Sequence, residues 1–233
     1  MVRRRSGFRS AGKTPMPGYR VKHTTITVAG LDYTVRSLLD LQQFADPEGE
    51  AERLGISSAS WSLFGQVWPS ARVLALAMQT IDLDGRRVLE LGAGLALSSL
   101  VIHRRAGDVT VSDLHPLSRS FLAANLVLNG LTPLPHDRGD WAAVLSDLGL
   151  FDLIIGSDVL YEPHQPALLA GFIDRHSARG VEVVIVDPDR GHRPSFCREM
   201  AGRGYDFTST KAAAHLESGE AYKGRFLRFT RAG

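Results

Sequence analysis

Val88-Leu-Glu-Leu-Gly-Ala-Gly-Leu-Ala-Leu-Ser-Ser-Leu100 joins a short apolar run to a helix-like segment through two glycines one residue apart. The run predicts a buried strand over 86–91, Gly92–Gly94 a turn, and the residues beyond it a helix near 95–105. Glycines at such a junction let the backbone come close to a ligand. In an open α/β sheet the ligand sits beyond the carboxyl ends of the strands, which is where this turn falls. Two kinds of ligand suit that place, a dinucleotide and a sulfonium nucleoside.

Outward from the turn, strand and helix patterns alternate. Strands are expected over 109–113, 152–157 and 181–187, with a weaker one near 133–138. Helices are expected near 116–129, 166–177 and 194–202. The strands at 152–157 and 181–187 are apolar nearly throughout, as in a parallel sheet covered on both faces. Toward the N-terminus, 24–36 alternates with period two around Ala29-Gly30 and predicts a hairpin. Asp46–Glu50 predicts a loop, and Pro69 starts a helix running to about Thr80. At the other end, 205–210 and 224–231 read as two strands without room for a crossover helix, so they should pair antiparallel. The expected fold class is α/β, a Rossmann-like open, mostly parallel sheet with helices on both faces and an antiparallel C-terminal hairpin.

The chain has 233 residues, 44% hydrophobic, enough for one sizeable core. Residues 1–20 form an expected disordered basic tail. Residues 21–233 are expected to form one domain, with a hairpin and helical entry over 21–80 and the Rossmann-like core over 81–233. The tail holds Arg3, Arg4, Arg5, Arg9, Lys13 and Arg20 with no acid, six positive charges against a chain total of +2, which leaves the remainder near −4. An acidic folded portion disfavours nucleic acid as a partner. No apolar run reaches the ~20 residues of a membrane span. The single cysteine, Cys197, excludes an internal disulfide and suits a reducing compartment. A cytoplasmic location is therefore expected, with a mitochondrial transit role for the Arg-rich start as the alternative. The eight histidines show no metal-ligand spacing, and no metal is expected.

The turn distinguishes the two ligands. A dinucleotide fingerprint needs a third glycine where Leu97 stands. Asp113, at the end of the next strand, can accept ribose hydroxyls of either ligand. Glu90, two residues before the turn, would repel a pyrophosphate and attract the ammonium and sulfonium of S-adenosylmethionine. A strand-end acid capping a nearby backbone donor is the structural alternative for Glu90.

Together with Asp113, this set resembles the class I (seven-β-strand) S-adenosylmethionine-dependent methyltransferases. Ser157-Asp-Val-Leu-Tyr-Glu162 resembles the D-x-x-Y signature of the family 16 protein-lysine methyltransferases, which include the electron-transfer flavoprotein β-subunit lysine methyltransferase. Val67-Trp-Pro-Ser-Ala71 and Gly139-Asp-Trp141 resemble segments of the same family, and the likeness covers about 61–200. It implies a cofactor site made by Trp68, Glu90, Gly92, Ala93, Gly94, Asp113, Leu114, Asp140, Trp141 and Ser157, and a protein lysine as substrate. It further implies catalytic roles for Asp158 and Tyr161.

A lysine amine, with an ordinary pKa of about 10.4, must lose a proton before it attacks a methyl group. Asp158 would orient the amine and Tyr161 would wall a channel whose desolvation favours the neutral form. A lone carboxylate favours the charged amine instead, so Asp158 is assigned orientation rather than strong general-base character. Ser157 and Asp158 as helix caps are the structural alternative. Trp61 is expected in the core and Trp68 at the site. Asp187-Pro-Asp-Arg190 falls at the end of the fifth strand, on the expected active edge, and resembles a D-P-x-R segment of the same family; it is expected to be a Pro-fixed turn with an Asp–Arg pair. A small-molecule or RNA methyltransferase, a non-catalytic cofactor-binding module and a dinucleotide oxidoreductase are the competing functions.

Overall fold

The period-two segment near the N-terminus forms β1 (Val21–Val28) and β2 (Leu31–Leu38), paired antiparallel as a two-stranded sheet of their own. Both turn residues, Ala29 and Gly30, have positive φ, the geometry that matches a tight hairpin to strand twist. The chain continues through α1 (Glu50–Arg53), a 3-10 turn over Trp61–Gly65, and α2 (Pro69–Ala77), with Pro69 at its first position. Strand and helix then alternate through β3 (Arg87–Leu91), α3 (Leu97–Arg104), β4 (Asp108–Ser112), α4 (Ser118–Leu128) and β5 (His136–Asp137). The second half follows as β6 (Phe151–Ser157), α5 (Gln165–His176), β7 (Ser177–Asp187), α6 (Arg193–Ala201), β8 (Asp206–Lys211) and β9 (Arg225–Thr230). This computed structural model describes residues 18–143, 147–215 and 219–232.

The main sheet has the order β5-β4-β3-β6-β7-β9-β8. β5, β4, β3, β6 and β7 run parallel, while β9 pairs antiparallel with both β7 and β8. Chain order reverses between β3 and β6, so the loops after β3 and β6 part there and leave a crevice. Successive strand residues serve opposite faces. Val88, Ile155 and Val184 join a core with α2, α3 and α4; Leu89, Ile154 and Ile185 join one with α5 and α6. That two-sided burial is why the central strands are apolar without alternation.

The basic segment expected to be disordered lies outside the described residues up to position 17. Its last part departs from expectation. Tyr19 is buried, with its ring 5.9 Å from both Trp61 and Phe121, and Arg20 pairs through its backbone with Gln43 and Leu39. The fold therefore begins before Val21, because an aromatic side chain there fills a gap between the 3-10 turn and α4.

Two amides on α4 and just after it dock the hairpin. Asn125 Oδ1 accepts from the Arg36 amide at 2.7 Å, and Asn129 both accepts from and donates to the Thr34 backbone. These side chains satisfy backbone groups of β2 that no third strand pairs. Asn125→Ala should destabilise the protein by about 1–2 kcal/mol, since it orphans a partly buried amide. Hydrogen exchange should then quicken across β2 before it does in β3; unchanged exchange in β2 would show that apolar packing alone holds the hairpin.

Candidate functional site

The crevice is a cavity of about 820 Å³ at the carboxyl ends of β3, β4 and β6, covered from the N-terminal side by residues 54–71. Its volume is within the range of small-molecule and cofactor pockets. Gly92, Ala93, Gly94, Asp113, Leu114, Asp140, Trp141, Ser157, Asp158, Tyr161 and Trp68 all line it. The structure therefore brings together eleven of the twelve residues singled out in the sequence.

Gly92 and Gly94 both have φ +54, a conformation that side chains rarely adopt. Neighbouring protein crowds them as well. A Cβ on Gly92 would lie 2.8 Å from Val159 Cγ1, and one on Gly94 would lie 2.9 Å from the Phe64 carbonyl oxygen. The turn is thus glycine-rich because the loop after β6 and the 3-10 turn press on it, in addition to facing the cavity. Asp113 stabilises the same turn: its Oδ2 accepts from the Gly94 amide at 2.7 Å and its Oδ1 from the His115 amide at 2.8 Å. Burial raises the Asp113 carboxyl above its ordinary range, while those two amides pull it down.

Glu90 is the twelfth residue, and it does not line the cavity. Its carboxylate points behind the turn, where Oε2 accepts from both the Ser99 amide, at 2.8 Å, and the Ser99 hydroxyl. These are bonds of the kind the structural alternative describes: Glu90 braces the start of α3. Burial pushes its pKa up to about 7 against the opposing bonds from Ser99. Because the folded pKa exceeds the ordinary value of 4.5, the folded protein binds more protons than the unfolded chain between those values. Stability contributed at this site therefore falls as pH rises through that window and levels off above about 7. Glu90→Gln keeps an acceptor for Ser99 and should flatten this dependence. Thermal unfolding should show the wild type losing several degrees more than the variant between about pH 5 and pH 8. Equal losses would mean that Glu90 ionises as readily folded as unfolded.

Trp61 is a core residue, as expected, with its ring among Tyr19, Phe44, Phe64 and His115. Trp68 instead faces the cavity, its indole N–H donating to the Leu63 carbonyl at 2.9 Å. Asp140 is exposed at the rim and accepts from the Ala142 amide. Trp141 is half-buried, and its indole nitrogen has no partner among the described residues.

Asp158 has φ +55 and extends from the end of β6, with its own amide donating to the Val186 carbonyl. Its carboxylate accepts a two-pronged bond from Arg190: Nε to Oδ1 at 2.5 Å and the guanidinium NH2 nitrogen to Oδ2 at 2.9 Å. Neither Ser157 nor Asp158 caps a helix. α5 begins at Gln165, whose side-chain oxygen accepts from the amides of Tyr161 and Glu162 and closes that loop. Tyr161 is 43% exposed, at the cavity mouth.

The 187–190 turn is present, but its ion pair is not the one expected. Asp187 Oδ1 accepts the Arg190 backbone amide, at 2.9 Å, while the guanidinium reaches across to Asp158. Sequence reading placed this segment on the active edge but gave Arg190 a partner within the turn, since a turn-internal pair and a cross-strand pair look alike in one dimension. His115 was missed: it lines the cavity, stacks on Phe64 at 3.6 Å, and is kept neutral by burial, its pKa pulled down to about 3. Among the described residues, no group of three or more His, Cys, Asp or Glu side chains gathers as a metal site.

A β5-β4-β3-β6-β7-β9-β8 sheet with a glycine turn after its central strand and an antiparallel strand inserted near one edge is the fold of the class I methyltransferases. The solved T. thermophilus 16S rRNA N2 G1207 methyltransferase (RsmC), in complex with AdoMet and guanosine, shares it with TM-score 0.60 at 16% identity, over 94% of this chain and 52% of that one. Residues 53–196 match a family described as lysine methyltransferase, and the chain belongs to that family. It is 35% identical over 149 residues to protein N-lysine methyltransferase METTL21A of Danio rerio, covering 58% of this chain and 62% of the relative. It is also 37% identical over 106 residues to histone-arginine methyltransferase METTL23 of Xenopus laevis, covering 42% of this chain and 44% of that one. The chain thus spans less than two thirds of the length of either relative.

Proposed function

We propose that the protein transfers a methyl group from S-adenosylmethionine to a lysine side chain of a protein substrate. The observation that carries this reading is the placement of Asp158 and Tyr161 in the same cavity as the glycine turn and Asp113. A cofactor-type crevice and a carboxylate–phenol pair suited to an amine thus open into one another.

The residues present fit the cofactor. Asp113 offers carboxylate oxygens that retain lone pairs beyond the two amides they already accept, as ribose hydroxyls require. Trp141 and Leu114 offer apolar surface, Asp140 offers an acceptor for an adenine amino group, and Trp68, Ser157 and the Gly92–Gly94 turn line the remainder. Glu90 braces the start of α3 behind that turn. When bound, S-adenosylmethionine supplies an electrophilic methyl on a sulfonium. The protein's task is then alignment, because in-line displacement depends on the direction of approach. Asp158 orients the amine, and Tyr161 narrows its path and excludes water.

Incubating the protein with tritiated S-adenosylmethionine and a soluble extract, followed by protease or nuclease treatment, tests the assignment. Label that survives nuclease, is released by protease, and appears as methyllysine after hydrolysis is the expected result. Label on nucleic acid or on small molecules would replace the protein-lysine assignment with one of its competitors.

A further inference from the structure

A carboxylate that orients a lysine has a drawback. Placed alone within hydrogen-bond reach, it stabilises the ammonium and raises the pKa of the group that must become neutral. The Arg190 fork on Asp158 removes this conflict. Asp158 has an 8% exposed side chain, and Arg190 engages both of its oxygens from the cavity wall. The pair is close to neutral as a unit. Each carboxylate oxygen still has a free lone pair, so Asp158 can accept an N–H bond from an amine without offering it an uncompensated charge.

We propose that Arg190 is a positioning residue that cancels the charge of Asp158, so that the site takes a neutral amine and favours lysine over arginine. This rests on the methyl-transfer reading given above. The lysine sheds one proton to solvent before attack; its nitrogen then takes the methyl as the S–CH3 bond breaks, leaving a methylammonium and neutral S-adenosylhomocysteine, so Asp158 never has to store a proton. A substrate guanidinium fares differently. It does not deprotonate in a protein, and its preferred partner is a carboxylate fork. Arg190 already occupies that fork and repels a second guanidinium. The distinction matters in this chain, because its relatives include both a lysine and an arginine methyltransferase by name.

The surroundings leave this balance in place. Asp187 lies beside the pair from the end of β7, fully buried, with Oδ2 unpartnered among the described residues, and burial raises its carboxyl toward the neutral form. From the segment between β8 and β9, Tyr222 faces Asp158, Asp187 and Arg190, bonded to the Ser70 hydroxyl at 2.7 Å; burial pushes its phenol up to about 12, so it remains uncharged. On the β6 side, burial also raises the Tyr161 phenol, with Glu162 and Asp113 nearby. Arg193 is occupied by Asp189. Arg190 is thus the cation bonded to the Asp158 carboxylate among the described residues.

The test is a pH–rate profile of methyl transfer to soluble extract proteins for the wild type, Arg190→Gln and Arg190→Lys. Hydrolysis resolves methyllysine from methylarginine, and calorimetry measures S-adenosylhomocysteine affinity. Arg190→Gln should move the alkaline rise in rate upward by about one pH unit or more, as an uncompensated carboxylate within a few ångströms would. Transfer should then fall about tenfold near pH 7 and recover near pH 10. Arg190→Lys keeps the charge and should keep the wild-type profile. The methylarginine share should rise only in Arg190→Gln, and product affinity should be similar in all three. If Arg190→Gln proves unstable, the Asp158→Asn/Arg190→Gln pair, which removes both charges, should be slow but show the wild-type profile position. A loss in Arg190→Gln by the same factor at every pH, or a displaced profile for the double variant, would reduce Arg190 to a structural brace. Methylarginine as the main wild-type product would overturn the inference while leaving methyl transfer intact. Transfer to neither residue would remove the methyl-transfer reading and this inference with it.

Discussion

Asp158→Asn is expected to lower methyl transfer by on the order of a hundredfold or more, the scale of a positioned polar group at a reacting centre. The substitution keeps size and replaces one acceptor with a donor. Arg190 then loses half of its fork and retains its charge inside the cavity wall, where it repels any residual ammonium. Affinity for S-adenosylhomocysteine should change little, because the residues proposed to hold ribose and adenine, Asp113, Asp140 and Trp141, line the cavity from other loops. A helix-capping role would have predicted lost stability with turnover preserved, but α5 starts at Gln165, beyond the reach of that explanation. Affinity, thermal midpoint and turnover measured on one preparation separate the outcomes. Near-normal turnover with intact binding would remove Asp158 from the reacting centre.

Gly94→Ala is the second large effect. The φ of +54 strains any side chain, and the new methyl would lie 2.9 Å from the Phe64 carbonyl oxygen. That oxygen has little freedom, since the Phe64 ring stacks on His115 and packs edge-on against Trp61 and Phe121. Relief must come from moving the turn, which breaks the bond from the Gly94 amide to Asp113. Strain and overpacking together should cost about 2–5 kcal/mol. S-adenosylhomocysteine binding should weaken by roughly tenfold or more if the displaced Asp113 carboxylate is the ribose acceptor proposed above. Gly85→Ala is the control: it too has positive φ, but with nothing within 4 Å of its Cβ, so it should show the strain alone and leave binding untouched. Similar binding losses in both variants would show that the Phe64 contact plays no part.

Legibility differed between elements for identifiable reasons. Strands β3, β6 and β7 announce themselves because burial on both faces demands continuous apolar residues, and Pro69 marks its helix because a missing N–H costs nothing at the first turn. The 3-10 turn over Trp61–Gly65 has no comparable period, so its aromatics read only as a cluster. Tyr19 could not be separated from the basic segment before it, since one ring carries no periodicity and its partners lie about forty and a hundred residues away.

The candidate site divides in the same way. Of the eleven cavity residues, Gly92, Gly94 and Asp113 were readable from local pattern, glycines where φ is positive and an acid where a strand ends, while the others came from the family resemblance. Local sequence by itself determined the order of strands and helices, the glycine turn and the residue types gathered at the carboxyl edge of the sheet. Only the tertiary structure decided the direction of two carboxylates. Glu90 turns behind the sheet edge to Ser99, and Asp158 meets Arg190 from a loop 32 residues away. Charge pairing acts through space over a few ångströms, and which charges come that close is settled by packing β6 against β7, not by spacing along the chain.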